Sequence, residues 1–240
     1  MSGKERSSST SIVIDPSVLL IPVKAQLRKH VPDDAPPGSI YRDNNTVLIV
    51  GGAYNADGLH IQAEETFYVD GLSRAWDGRW LGEADKLAWT EPLTGYPCIM
   101  LRAREGGFLS GFVGVPPSHS LYGVAFDEAT RRERIEVHGG LTYSGRCSDG
   151  PTSVRRIAQE AHRICHALPR ARVGEVVRVD GAHEQAWWFG FDCNHKDDIV
   201  PNEPADAASA RFRSHNAVYR TDGFVCREIV RLAQQLAVIG

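Results

Sequence analysis

The sequence has no hydrophobic run that approaches the roughly 18 uncharged apolar residues a membrane helix needs. Its five cysteines include no CxxC pair. This odd count without paired spacing argues against a disulfide framework and against a zinc ribbon. Neither a GxGxxG nor a GxxxxGK[ST] motif is present, which argues against a dinucleotide-binding or P-loop fold.

Neither sign of charge dominates, since 27 Lys and Arg residues face 30 Asp and Glu residues, for a formal net charge of −3. The basic footprint of a nucleic-acid-binding protein is therefore missing from the chain as a whole. The 42 % hydrophobic and 24 % charged residues are ordinary for a globular protein and exclude a fibrous or disordered one. We expect a cytoplasmic protein whose partner is neither a membrane nor a nucleic acid.

The first eleven residues, MSGKERSSSTS, are polar and serine-rich and predict a disordered tail over 1–11. The remaining 12–240 are long enough for a single domain, in which 12–75 is either an integral part or an N-terminal appendage. Several strand patterns precede two helical ones, which favours an α+β domain over alternating βαβ units. We expect an antiparallel sheet with two packed helices, the second at the C-terminus.

The clearest local signal is a β-hairpin, with strands at 98–103 and 108–115 around a turn at 105–107. Further strands are predicted at 46–50, ending in a turn at Gly51 and Gly52, and at 135–138 and 187–193. Apolar residues at helical spacing predict one helix over 154–168 and another that begins near Asp222, its expected cap.

The segment EVHGGLTYSG at 136–145 combines a histidine with three glycines and two hydroxyl groups. Glycines let the backbone approach a ligand closely, and an imidazole beside exposed backbone N–H groups suits acid–base chemistry on an anionic substrate. We therefore predict that His138 is catalytic. The predicted substrate-binding residues are Gly139, Gly140, Thr142 and Ser144. The alternative interpretation is a glycine-rich turn with an incidental histidine.

A second candidate is the aromatic strand WWFGFD followed by CNHKDD at 193–198. In extended geometry Cys193 and His195 share one face with Cα atoms about 7 Å apart, so they can hold a metal ion or form a dyad. Asp192 then points to the other face, but it can orient His195 if the strand stops at Phe191. The alternative is a strand end whose Asp and Asn cap a turn.

A third candidate is the pair His162 and His166, four residues apart on one side of the predicted helix. The glutamate of an HExxH zinc motif is missing. A solvated pair is the interpretation that we favour, and His166 is kept as an alternative metal ligand.

Several phrases resemble a family of bacterial and phage proteins that are described only as hypothetical. They are GFVGVP at 111–116, VHGGLT at 137–142, ICH at 164–166, WWFGFDCNH at 187–195 and YR at 219–220. The resemblance spans residues 76–238 and implies a phage or prophage setting. It makes His138, His166 and His195 parts of recurring phrases, and it supplies no mechanism.

The sequence therefore predicts one polar site with His138, Asp192 and His195 as catalytic residues. The leading hypothesis is a small cytoplasmic hydrolase of a phosphoester or nucleotide-like substrate. It acts either through a zinc ion or through the two histidines as general acid and base without a cofactor. The predicted zinc ligands are His138, His166, Cys193 and His195.

Two other functions stay open. A non-catalytic binding protein of phage origin would sequester a small-molecule or nucleotide signal or block a host protein. A structural zinc site on the same four ligands would hold the fold together without chemistry.

Overall fold

A computed structural model describes residues 25–32, 35–72, 78–147, 155–165, 185–203 and 216–240. The predicted tail at 1–11 lies outside these residues. Three helices are described: α1 (Phe126–Arg132), α2 (Ile157–Glu160) and α3 (Asp222–Ile239). The described strands are β1 (Gln26–Leu27), β2 (Ser39–Asp43), β3 (Thr46–Ala56), β4 (Leu59–Val69), β5 (Lys86–Thr90), β6 (Pro97–Arg102), β7 (Leu109–Val115), β8 (Tyr143–Arg146) and β9 (Trp187–Asp192).

The nine described strands form one sheet in the order β1-β2-β3-β4-β5-β6-β7-β9-β8. Every neighbouring pair is antiparallel except β1 and β2. The predicted α+β class is therefore confirmed. The predicted hairpin is present as β6 and β7, which pair Cys98 with Val113 and Arg102 with Leu109. The strands between residues 39 and 69 belong to the same sheet, because β4 pairs with β5.

Helix α3 covers one face of the sheet, as its apolar pattern predicts. Thr221 caps it by accepting a hydrogen bond from the Phe224 amide, one residue before the predicted cap. Gly111 in β7 permits close packing, since a Cβ there would overlap Ile229 and Phe191. The stripe buried against the sheet consists of Val225, Cys226, Ile229, Leu232, Ala233 and Leu236.

The segment 135–138 is not the predicted strand. It runs along α3, and helix side chains satisfy its backbone groups. The Glu136 amide donates to Gln235 Oε1 at 2.8 Å, and Gln235 Nε2 donates to the Glu136 carbonyl at 2.9 Å. Because these contacts use the groups that a neighbouring strand would pair, the segment stays outside the sheet.

The predicted turn at Gly51 and Gly52 is also absent, because β3 continues through both residues to Ala56. Gly51 takes a φ of +64° where it passes Pro37. The glycines therefore mark a local distortion inside a long hairpin.

The predicted helix over 154–168 is much shorter in the described part of the chain, where α2 ends at Glu160. Lys86 of β5 is fully buried below this segment. Its Nζ donates to the carbonyls of Glu160 at 2.6 Å and Cys165 at 3.1 Å. The bond from Lys86 occupies a carbonyl that a continuing helix would have used for its own i→i+4 hydrogen bond. The ammonium group of Lys86 therefore binds the Glu160 carbonyl in place of the backbone amide that would have continued the helix.

Cys147 and Cys165 form one disulfide bond, although the odd cysteine count and spacing argued against a disulfide framework. Cys98, Cys193 and Cys226 are free and buried. Disulfides persist mainly in oxidising compartments, so the cytoplasmic location stays a prediction. No helix among the described residues is both long and apolar enough to cross a membrane.

Replacing Cys147 and Cys165 together by serine should lower the free energy of unfolding by about 3 kcal/mol, because the bridge joins residues 18 positions apart. Thermal unfolding with and without dithiothreitol checks this. Reductant should lower the Tm of the wild type and leave that of the double variant unchanged. Equal Tm values for the two proteins without reductant would contradict the prediction.

Burial lowers the pKa of Lys86 from 10.5 to about 8; Glu160 and Glu65 oppose this effect, and Arg155 and Arg163 add to it. Between these two values the unfolded chain binds more protons than the folded one. The contribution of Lys86 to stability therefore rises as the pH rises from 8 towards 10.5.

Relative to Lys86→Met, the wild type should gain about 2 kcal/mol of unfolding free energy between pH 7.5 and pH 9.5. Urea unfolding of both proteins at these two pH values measures the gain. Tyrosines titrate in both proteins, so their contribution cancels in the difference. Parallel pH profiles would show that Lys86 keeps its ordinary pKa.

Candidate functional site

Two histidines and one aspartate meet beside the N-terminal end of α3. His138 lies in a turn at the end of the segment along α3, and His195 and Asp198 lie in the turns after β9. The two imidazole centroids are 5.2 Å apart. One nitrogen of each histidine and one carboxylate oxygen of Asp198 all lie within 4.8 Å of one another. The structure thus brings His138 and His195 together, as the sequence analysis expects.

The carboxylate of Asp198 connects the parts of this site and is only 1 % exposed. Its Oδ2 accepts hydrogen bonds from His138 Nε2 at 2.8 Å and from the His195 amide at 2.9 Å. Its Oδ1 accepts from Arg220 Nε at 2.7 Å. Burial by itself would raise the pKa of Asp198, but these hydrogen bonds hold it below its usual value. Asp198 is therefore an ionised acceptor, and the His138 Nε2 nitrogen carries the proton between them.

Helix α3 fixes the orientation of His138. The His138 amide donates to Glu228 Oε2 at 2.8 Å. The Phe224 ring stands edge-on to the imidazole, with centroids 5.3 Å apart. Because both residues lie in the first two turns of α3, the helix and the histidine are positioned together.

Gly139 lets the two histidines approach. It has a φ of +67°, and a Cβ at this position would overlap the His195 imidazole. Gly140 has a φ of +84°, and a Cβ added there would meet no other atom within 4 Å. Its amide donates to the Val137 carbonyl at 3.0 Å. Both glycines were predicted to bind substrate; the described contacts give Gly139 the role of making room for His195.

Asp192 does not contact the histidines among the described residues. Its carboxylate accepts hydrogen bonds from Ser110 at 2.6 Å and from Thr142 at 2.8 Å. β9 runs through Asp192, so its side chain points to the face opposite that of Cys193. The carboxylate beside the histidines is therefore Asp198, which corrects the predicted role of Asp192.

The two predicted substrate-binding hydroxyls are engaged inside the protein. Thr142 donates to Asp192 at 2.8 Å. The Ser144 hydroxyl oxygen accepts from the Phe126 amide at 2.8 Å, at the start of α1. Both contacts join neighbouring elements: Thr142 uses its hydroxyl proton on Asp192, whereas Ser144 serves as the acceptor for the first amide of α1.

Of the other predicted metal ligands, Cys193 is described and does not belong to the group of ligand atoms at this cluster. Cys193 is 2 % exposed within the core that packs on α3, and burial raises the pKa of its thiol well above its usual value. His166 lies outside the described residues. His162 follows the end of α2, and burial, with help from Arg104 and Lys86, lowers its pKa to about 4.

The sequence analysis missed three residues of this site: Asp198, Arg220 and Glu228. Asp198 follows His195 by three residues, and a turn brings residues at that spacing together. The acidic end of CNHKDD could therefore have predicted Asp198. Arg220 belongs to the YR phrase before the last helix. Glu228 carried no signal, because only the packing of α3 places it beside His138.

No protein-family model matches the chain, and neither a curated protein nor a solved structure matches it. The resemblance to the phage family therefore stays a prediction, and function is argued from the geometry of the site.

Gly139→Ala should lower the free energy of unfolding by about 3 kcal/mol, because left-handed strain adds to the overlap with His195. Gly140→Ala is the matched control, since it carries the strain without the overlap and should cost about 1 kcal/mol. Urea unfolding of both variants measures the difference. Equal losses would contradict the close contact between Gly139 and His195.

Proposed function

We propose that the protein is a hydrolase that uses a zinc ion at His138, His195 and Asp198 to activate water against a phosphoester or nucleotide-like substrate. The observation that carries the proposal is the convergence of two imidazoles and one buried carboxylate. Imidazole nitrogen and carboxylate oxygen are zinc ligands, and three protein ligands leave a fourth position for water. Zinc lowers the pKa of such a water to about 7, which supplies a hydroxide nucleophile at neutral pH.

The contacts around Asp198 support a ligand role. A zinc ion would replace the hydrogen bond between His138 Nε2 and Asp198 Oδ2. The His195 amide and Arg220 would still hold the carboxylate in place. Such outer contacts orient ligands in metal sites. The proposed ligand set therefore keeps two of the four predicted residues and adds Asp198.

The same hydrogen bond also favours a metal-free route to hydrolysis. Because His138 Nε2 donates to Asp198, Nδ1 is the ring nitrogen that is left to accept a proton. A carboxylate that fixes the tautomer and orientation of a histidine is the arrangement of a general base. In this route His138 removes a proton from water without a metal ion.

Purified, untagged wild-type protein should contain close to one zinc ion per chain by elemental analysis. His195→Ala and Asp198→Asn should each weaken zinc binding at least roughly tenfold, because each removes a ligand. His60→Ala is the matched control, since His60 is an exposed histidine of β4 outside the cluster. Its zinc content should equal that of the wild type.

Hydrolysis is measured with bis(p-nitrophenyl) phosphate and a panel of nucleotides, before and after removal of metal by chelation. Loss of turnover on chelation, with recovery on adding zinc, supports the zinc route; turnover that survives chelation but is lost in His138→Ala supports the metal-free route. Full activity of both His138→Ala and His195→Ala would overturn the proposal. Tight nucleotide binding without turnover would favour the binding protein instead.

A further inference from the structure

Arg220 lies at the edge of the candidate site, directly before the Thr221 cap of α3. Its Nε donates to Asp198 Oδ1 at 2.7 Å, and its guanidinium carbon lies 4.9 Å from the centre of the Phe224 ring. His138 contacts the other oxygen of the same carboxylate and the same ring. The guanidinium is thus fixed in position beside the histidine.

Only the Nε edge of this guanidinium is used inside the protein. Among the described residues, the two terminal nitrogens of Arg220 have no hydrogen-bond or ion-pair partner. The side chain is 24 % exposed. A guanidinium held rigidly by one edge presents N–H donors in a planar fork, which matches the oxygen atoms of a phosphate group.

The other groups that were predicted to bind an anion are engaged elsewhere. Thr142 and Ser144 make contacts inside the protein, and the Gly140 amide closes a turn. Arg220 is therefore a described side chain next to the histidines whose terminal nitrogens are left to donate hydrogen bonds to a substrate anion.

We propose that the outer edge of the Arg220 guanidinium holds a phosphate group of the substrate beside His138 and His195. This proposal rests on the proposed function for the nature of the substrate. Arg220 and Asp198 together are electrically neutral, so the affinity depends on the geometry of the fork more than on net charge. Arg220 is thus assigned as the residue that selects a phosphate-bearing substrate.

The test uses inorganic phosphate and protein freed of metal by chelation, so that bound zinc does not contribute to the signal. Isothermal titration should show saturable binding to the wild type with a Kd in the millimolar range or tighter. Arg220→Lys keeps the charge beside Asp198 and removes the fork, and it should weaken binding at least about tenfold. Arg227→Lys is the matched control, because Arg227 is an exposed arginine of α3 outside the candidate site, and this variant should bind as the wild type does.

Phosphate binding by Arg220→Lys that equals the wild-type value would overturn the proposal, as would the absence of saturable binding to the wild type. Acetate bound as tightly as phosphate would overturn the assignment to phosphate. Thermal unfolding of Arg220→Lys checks that the variant is folded. For a substrate that is turned over, the variant should raise KM more than it lowers kcat.

Failure of this proposal is distinguishable from failure of the proposed function. Arg220-dependent phosphate binding without hydrolysis of any tested substrate would support the phosphate site and overturn the hydrolase. Hydrolysis that depends on His138 and His195 but not on Arg220 would support the hydrolase and overturn the phosphate site at Arg220.

Discussion

The carboxylate of Asp198 is the group on which the rest of the candidate site depends. A charge with 1 % exposure is stable in a protein only when donors surround it. Its donors within the described part of the chain come from three segments: the turn at His138, the turn at His195, and Arg220 before α3. Removing one donor leaves the carboxylate only partly satisfied, so the positions of both histidines and of the arginine are coupled through one side chain.

Packing of α3 on the sheet transmits the fold to the site. Gly111 and the apolar stripe set how closely the helix lies on β7. That distance places Phe224 and Glu228 of its first two turns beside His138, and Arg220, just before the helix, beside Asp198. The sheet contributes the other half, because β9 ends just before His195. A site built in this way needs no dedicated domain, since it lies where a helix start meets a strand end.

Hydrophobic periodicity predicted the elements in which apolar packing decides the structure. β6, β7, β9 and α3 are of this kind: the three strands are mostly apolar runs that the fold buries on both faces, and α3 has an apolar stripe at helical spacing that it buries on the sheet. The predicted helix over 154–168 and the predicted strand at 135–138 were wrong, because hydrogen bonds from polar side chains determine the structure of both segments. Lys86 binds the Glu160 carbonyl that would have accepted the next hydrogen bond of α2, and Gln235 binds the backbone groups of Glu136 in the predicted strand at 135–138. Neither partner is near in sequence, so no local pattern reveals it.

The sequence by itself determined the α+β class, the central hairpin and the last helix. It also indicated His138 and His195 as candidate site residues at the ends of two apolar segments. Each of these follows from local spacing, because a period of two or 3.6 residues already specifies which face is apolar. Only the tertiary structure decided that Asp198, and not Asp192, lies beside the histidines, and that Arg220 presents its outer edge there. Those choices depend on contacts across 22 to 82 positions of the chain, which pattern analysis does not reach.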